Sequence, residues 1–492
     1  MRQIFCSEKE NSVRFGGRAM LHFRKITKRE VTLFEPFFAE QRTHLSDFSL
    51  GFQFMWHKHF TPEYAIEEDC LILKELFAGK VWFHYPLSRT GDEAAERRAV
   101  SEIERYCRDS EIRLHFTNVR AAAVPWLALR YADVSVTNIR RWRDYLYEAA
   151  DFHTYPGGKY SGQRNHVNKF KKMHPDWSFE TYVPEREAEL VAFLKTYEGA
   201  QRAKGDRIAD EEMNEVYELV PMIGAFRLRC GILRADGKIV GCAIGERCGD
   251  MVVVHVEKAL REYEGAYPMI AQQFAGMFAD DVAYLNRMDD AGDMGLRKSK
   301  LQYLPCEVVG KHNVTPRRPI DLVSHLPEIP TQRLMLREVR EEDAAVYARL
   351  AGDEERNRWW GYDWRTDVPE GVCPDDQWFL SFSRDLFREK MEMPLGIYRG
   401  DLLIGEVVLH RFGYTAEAEI GVRLLPEYEG SGYAAEALSA YMEYAFCKLE
   451  LERIEAKHYN ENARSGRSLR LAGMKQSGAD EVFTYYEKTA KM

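Results

Sequence analysis

A β-hairpin, a strand, a small-residue turn and an amphipathic helix follow one another twice in this chain, and that order limits it to a narrow set of α/β folds. The tetrapeptide Glu-Tyr-Glu-Gly marks both copies, at Glu262 to Gly265 and at Glu427 to Gly430. Upstream of the first lies GILRADGKIVGCAIGER, and upstream of the second GIYRGDLLIGEVVLHR. Each holds two apolar runs around a polar turn, Asp236-Gly237 in one and Gly400-Asp401 in the other, which is the signature of a hairpin. The copies stand roughly 165 residues apart, a domain length rather than a solenoid period, so two related domains are expected.

In the second copy the turn reads GSGYA, and Gly430, Ser431, Gly432, Tyr433 and Ala434 are the candidate cofactor-binding residues. The first N–H groups of a helix have no intrahelical partner and carry partial positive charge, so anions bind there. Glycine lets phosphate oxygens approach the backbone without meeting a side chain.

A chain of 492 residues divides into about three domains at ~100–200 residues each. No apolar run approaches the ~20 residues of a membrane helix, and the N-terminus lacks the apolar core of a signal peptide; a cytoplasmic protein without membrane insertion is expected. The nine cysteines stand singly, so neither a zinc site nor a disulfide framework is expected and no metal is assigned. Cys242, flanked by apolar residues, reads as core. Residues 326–492 hold 22 basic against 31 acidic residues, which accounts for the whole net charge of −9. An acidic domain repels nucleic acid and favours cationic substrates, although a solvated charged surface is the plainer account.

Four prolines, Pro316, Pro319, Pro327 and Pro330, mark a linker. The expected organisation is a polar extension at 1–19, a first half at 20–153, a second half at 154–315, a Pro-rich linker at 316–330 and a last domain at 331–492.

Residues 331–492 resemble the GNAT acetyltransferase superfamily, in particular its ribosomal-protein N-acetyltransferase-like branch. The carrying segments are TQRLMLREVREEDA, the pair Trp360-Gly361, the hairpin, EIGVRLLPEYEGSGYAAEAL, and NARSGRSLRLAGM from Asn462 to Met474. The resemblance implies acetyl-CoA as co-substrate and direct transfer of an acetyl group to a primary amine, borne by a small molecule or a peptide. Strand alternation puts Glu417, Glu419 and Arg423 on one face, and Glu419 is the candidate general base through a water, its pKa raised in a cleft. A solvated strand carboxylate is the alternative. Asn462 is a candidate for the cofactor's pantetheine arm or, alternatively, a helix N-cap. Ser465 is the candidate acid for the thiolate, or a structural hydroxyl. The family's usual Arg or Gln at the head of the loop is replaced by Glu429, its Phe by Met474, and Leu469 stands where many members carry the acidic tyrosine.

Residues from about 20 to 315 resemble the family similar to the C-terminal catalytic domain of phosphatidylglycerol lysyltransferase, built of two GNAT-like halves. LSDFSLGFQFMW, GGKYSGQRNHVNKF, VVHVEKALREYEGAYP and YLNRMDDAGDMGLRKSKLQYLP carry it, with Gln163 in place of a usual Lys. The fold class expected is therefore α/β (α+β): three consecutive GNAT-like units, each a mixed central sheet flanked by helices. In this module His255 and Glu257 share a strand face and are candidates for proton transfer or a structural pair. Lys258, Tyr267, Asp290, Arg297 and Lys298 complete the candidate set. Lys159, Arg164, His166, Lys169, Lys171 and Lys172 form one basic run and Arg297, Lys298 and Lys300 another, suited to a tRNA or aminoacyl-tRNA, or simply solvated. The first half shows no phosphate turn and reads as support.

Two functions fit. One is an acetyl-CoA-dependent N-acetyltransferase fused to an aminoacyltransferase-like module. The other is a tRNA- or carrier-binding protein whose acetyltransferase domain is weak or inactive.

Overall fold

The computed structural model describes residues 21–26, 33–60, 62–131, 133–203, 209–360, 363–369 and 371–490; the extension at 1–19 and Gly361 lie outside them. The described residues form three mixed sheets flanked by helices.

The repeated order becomes the same local structure twice. In the second sheet the hairpin Arg229–Ala235/Lys238–Cys248 turns through Asp236 and Gly237, both at positive φ. Strand Met251–Ala259 follows, then the turn at Gly265, helix Ala266–Phe278 and strand Tyr284–Asn286. The third sheet repeats this with hairpin Glu392–Arg399/Leu402–His410, strand Glu417–Leu424, helix Tyr433–Lys448 and strand Arg453–Tyr459.

In both sheets the strand before the turn and the strand after the helix run parallel but pair only briefly. The pairs are Met251↔Tyr284 to Val253↔Asn286 in one and Glu417↔Arg453 to Glu419↔Glu455 in the other. Beyond them the two strands no longer hydrogen-bond and the sheet forks. A fork leaves backbone N–H and C=O groups facing a gap, where an extended ligand can meet them.

The first and second sheets exchange strands. Asp144–Glu148 pairs with Tyr284–Asn286 and Glu307–Val309 in the second sheet, while His312–Pro316 pairs with Phe116–Val119 and Val134–Thr137 in the first. The two halves are thus tied by sheet hydrogen bonds as well as by packing.

The Pro-rich linker is packed rather than free. Pro319–Leu322 forms a 3₁₀ turn, and Ile320 is fully buried in the core of the last domain. Tyr414, at the tip between strands Leu402–His410 and Glu417–Leu424, inserts into the core of the first half and accepts a hydrogen bond from Leu114 N–H at 2.6 Å. No helix among the described residues is long and apolar enough to cross a membrane. Cys242 is fully buried, and burial pushes its thiol up to about 12.

Candidate functional sites

The two small-residue turns differ in what stands above them. Gly430 and Gly432 have φ of +79° and +80°, and Gly432 is the residue before helix Tyr433–Lys448. A Cβ on Gly430 would meet nothing within 4 Å, and one on Gly432 only the tip of Arg333 at 3.5 Å. This turn is open. At Gly265, φ +89°, a Cβ would stand 2.3 Å from the carbonyl oxygen of His166, on helix Ser161–Met173. The Cβ side of Gly265 is therefore filled by a neighbouring carbonyl, and the glycine there serves close packing.

Around the open turn the charge is balanced by long-range partners. Glu429 accepts from Arg356 and from Arg464, each at 3.1 Å, so the unexpected carboxylate stands in an ion-pair cluster. Arg333 donates to the carbonyl of Ser431 at 3.0 Å, pairs with Glu436 at 2.7 Å and lies over the Tyr433 ring.

Glu419 sits at the crotch of the fork in the third sheet, the last residue paired with the parallel strand. Burial pushes its carboxyl up, but His410, Lys457, Arg411 and Arg108 outweigh that and hold it below the ordinary carboxylate range. This reverses the direction expected from the cleft alone, because a lysine, two arginines and a histidine converge on one carboxylate. Arg411 lies 3.5 Å and Lys457 3.7 Å from its oxygens. The other expected face residues are occupied: Arg423 pairs with buried Glu406 at 2.7 Å, and Glu406 in turn accepts from Tyr347. Glu392, opposite His410, is pushed up to about 8 by burial and then by Glu406 and Glu111. Asn462 caps helix Ala463–Leu471, its side-chain oxygen accepting from Ser465 N–H at 3.3 Å, and Ser465 is half-buried in the first turn.

The fork in the second sheet opens into a cavity of ≈ 1830 Å³ between the first and second halves. His255, Glu257, Lys258, Tyr267 and Asp290 all line it. Strand register skips His255, a bulge that turns its ring out of the ladder. His255 and Glu257 do not pair with each other. His255 Nε2 lies 3.2 Å from Glu246, whose carboxylate also accepts from Leu50 and Gly51 N–H at 2.7 Å. Burial pushes the Glu246 carboxyl up, but His255 and these N–H groups hold it below its usual range. Glu257 takes Arg287 at 2.7 Å, and Lys258 takes Glu212 at 2.7 Å.

The Asp-rich turn closes on itself. Buried Asp290 receives Arg297 through two bonds and the hydroxyl of Tyr145 at 2.6 Å; these hold it far below the usual range against the push of burial. Lys298 is exposed and is not among the residues lining the cavity. Lys300 donates to the carbonyls of Arg287, Met288 and Asp289, and burial lowers its amine to about 8. Of the basic run, Lys159 pairs with Asp151, Lys169 with Glu264, and Arg164 with backbone carbonyls.

These geometries can be set beside known proteins. Residues 38–313, more than half of the chain, match the family described as phosphatidylglycerol lysyltransferase, C-terminal. The chain belongs to that family. Residues 333–475 match the acetyltransferase (GNAT) domain. Over 167 residues the chain is 30% identical to the uncharacterized N-acetyltransferase YoaA of Bacillus subtilis (strain 168), spanning 33% of this chain and 91% of that protein. It is 29% identical over 150 residues to YnaD of the same organism, another uncharacterized N-acetyltransferase, spanning 30% of this chain and 84% of that one. The crystal structure of a conserved protein of unknown function from Bacteroides thetaiotaomicron VPI-5482 overlays with a TM-score of 0.56 at 25% identity, covering 60% of this chain and 99% of that one. The protein is thus an acyltransferase with a lysyltransferase-family module followed by a GNAT N-acetyltransferase domain.

Within the lysyltransferase-family module, several residues that the sequence did not single out prove central. Lys311 bridges Asp47 at 2.5 Å and Asp144 at 3.0 Å, with Asp289 at 3.9 Å, and so joins both halves in the wall of the cavity. Trp56, Trp82 and Arg287 also line the cavity. A lone carboxylate in the apolar run GCAIGER was the one legible hint of Glu246, since a buried acid in a strand requires a partner.

Proposed function

We propose that the GNAT domain transfers an acetyl group from acetyl-CoA to a primary amine by direct attack. The observation that carries this reading is the open Gly430/Gly432 turn at the start of helix Tyr433–Lys448, beside a forked pair of strands. Gly430 to Ala434 would take the pyrophosphate on backbone N–H groups, and the fork would take the extended arm. The co-substrate supplies an activated thioester. Glu419, held in its carboxylate form at neutral pH, accepts a proton from the substrate ammonium through a water, and the neutral amine so formed attacks the thioester carbonyl. Asn462, whose oxygen is engaged as a cap, keeps its amide N–H groups for the arm. Ser465, one turn further, would donate to the departing thiolate. Such a reaction fits the cytoplasmic location expected from the sequence.

The test is thermal unfolding of the intact chain with and without acetyl-CoA. A raised Tm in the wild type that disappears in Gly432→Glu supports the reading, and no shift with any acyl-CoA would sink it.

For the lysyltransferase-family module we propose that the cavity between its halves is a substrate site. Trp56 Nε1, Trp82 Nε1 and Arg287 Nη1 are buried without a hydrogen-bond partner among the described residues, and all three residues line this cavity. Unpaired buried donors are costly, and a ligand rich in acceptor oxygens would satisfy them. Aminoacyl esters and free amino acids are the first probes. Trp82→Phe keeps an aromatic ring and removes the N–H donor, so weaker binding in that variant supports the site, and unchanged binding argues against it. The tRNA reading draws less support, because Lys159, Arg164, Lys169 and Arg297 already have internal partners.

A further inference from the structure

The last turn of helix Glu93–Asp109, in the first half of the chain, ends against the strand that carries Glu419. Arg108 donates to Glu417 at 2.9 Å and stands 4.0 Å from Glu455. Asp109 accepts from Arg411 at 2.8 Å, and the other nitrogen of the same guanidinium lies 3.5 Å from Glu419. A continuous chain Asp109, Arg411, Glu419 therefore crosses from one module into the other. The side chains of Arg108, Asp109, Arg411, Glu417 and Glu419 are between 16% and 22% exposed, so solvent screens them less than an ordinary surface pair.

We propose that the acetyl-acceptor site is composite: the first half supplies part of its wall, with Arg108 and Asp109 as positioning residues that set the charge state and orientation of Glu419. The inference rests on the acetyl-transfer reading of the GNAT domain and assigns a role to a half that carries no small-residue turn of its own. It is anchored by Tyr414, which holds the tip of the Glu419 strand inside the first half's core.

Glu419 is faced by His410 and Arg411 from the preceding strand and its end, and by Glu417 on its own strand. Glu455 and Lys457 face it from the parallel strand, Tyr485 from the strand beyond, and Arg108 and Asp109 from the first half. Within this set Arg108 and Asp109 carry opposite charges, so their removal has opposite effects. Losing Arg108 removes a cation and makes Glu419 easier to protonate. Losing Asp109 leaves Arg411 with Glu419 as its remaining carboxylate and makes protonation harder.

The experiment titrates the Glu419 carboxyl by ¹³C NMR in the full chain, assigned with Glu419→Gln, and follows acetyl transfer to a panel of primary amines against pH. Arg108→Gln is expected to raise the midpoint and Asp109→Asn to lower it, each by ~0.5 pH unit, with Asp109→Glu restoring the wild-type value. The acid limb of kcat/KM should move with the titration. If loosening of the interface were the whole effect, both variants would move the midpoint in the same direction, and that result, or no shift, overturns the proposal. Wild-type protein that transfers acetyl to no amine would overturn the underlying reading and this one with it; transfer without opposed shifts overturns this one alone.

Discussion

Glu429 stands 3.1 Å from Arg356 and 3.1 Å from Arg464, a carboxylate held between two guanidinium groups at the mouth of the open turn. The residue that departs from the GNAT pattern is thereby neutralised by neighbours 73 and 35 positions away. Glu429→Gln releases both cations toward the place where a pyrophosphate would bind. A charge at a helix N-terminus is worth ~0.3–1 kcal/mol, so acetyl-CoA affinity should rise about 2- to 5-fold, and less at high salt. Calorimetric titration at two ionic strengths checks this; weaker binding in the variant would show that Glu429 orders the turn instead.

The two glycine turns separate in a stability measurement. Gly430→Ala carries the strain of a left-handed backbone, ~1–2 kcal/mol, with free space around the new methyl. Gly265→Ala carries that strain and also drives a methyl into the His166 carbonyl, adding ~1–3 kcal/mol. Urea unfolding should rank Gly265→Ala as the more damaging change, and equal losses would refute the closed-turn description.

Glu392 gives a pH signature. Its carboxyl is pushed up to about 8 in the folded chain, chiefly by burial, so the folded state favours the protonated form. At pH values below the ordinary carboxylate range both states hold the proton and the group has no effect. As pH rises from about 4 to about 8 the unfolded state alone ionises, and stability falls by at most ~1.4 kcal/mol per pH unit from this group. Glu392→Gln should therefore be more stable than wild type near pH 8 and indistinguishable from it near pH 4. A constant difference across that window would remove the assignment.

Tyr414→Phe tests the coupling of the modules. The change removes the acceptor of the Leu114 N–H bond and leaves a buried donor unpaired, at ~1–3 kcal/mol. The loss should appear in chemical unfolding and be accompanied by earlier exchange of the Leu114 amide. Exchange that stays at the wild-type rate would place the modules' contact elsewhere.

The repeated hairpin, strand, turn and helix could be read from the chain because each signal is local. Asp236-Gly237 and Gly400-Asp401 set hairpins, alternation sets strand faces, and glycine runs set helix starts, all within a few residues. Asn462 as a cap was equally legible, since the oxygen it offers reaches a backbone N–H three residues on.

Partners were not legible. His255 and Glu257 share a strand face, yet a bulge and two distant residues, Glu246 and Arg287, divide them. The strand His312–Pro316 completes the first sheet although its sequence follows the second, because nothing in a short apolar run names the edge it will join.

The sequence by itself thus determined the order of elements, the three GNAT-like units and the open turn of the last one. Tertiary structure alone decided that Gly265 is closed by a carbonyl, that Glu429 is neutralised, and that Glu419 is held ionised by cations of which one, Arg108, belongs to another unit. Local conformational preference acts over a few residues and is written in the chain. Charge and burial depend on which surfaces meet, and that is settled only when the units pack.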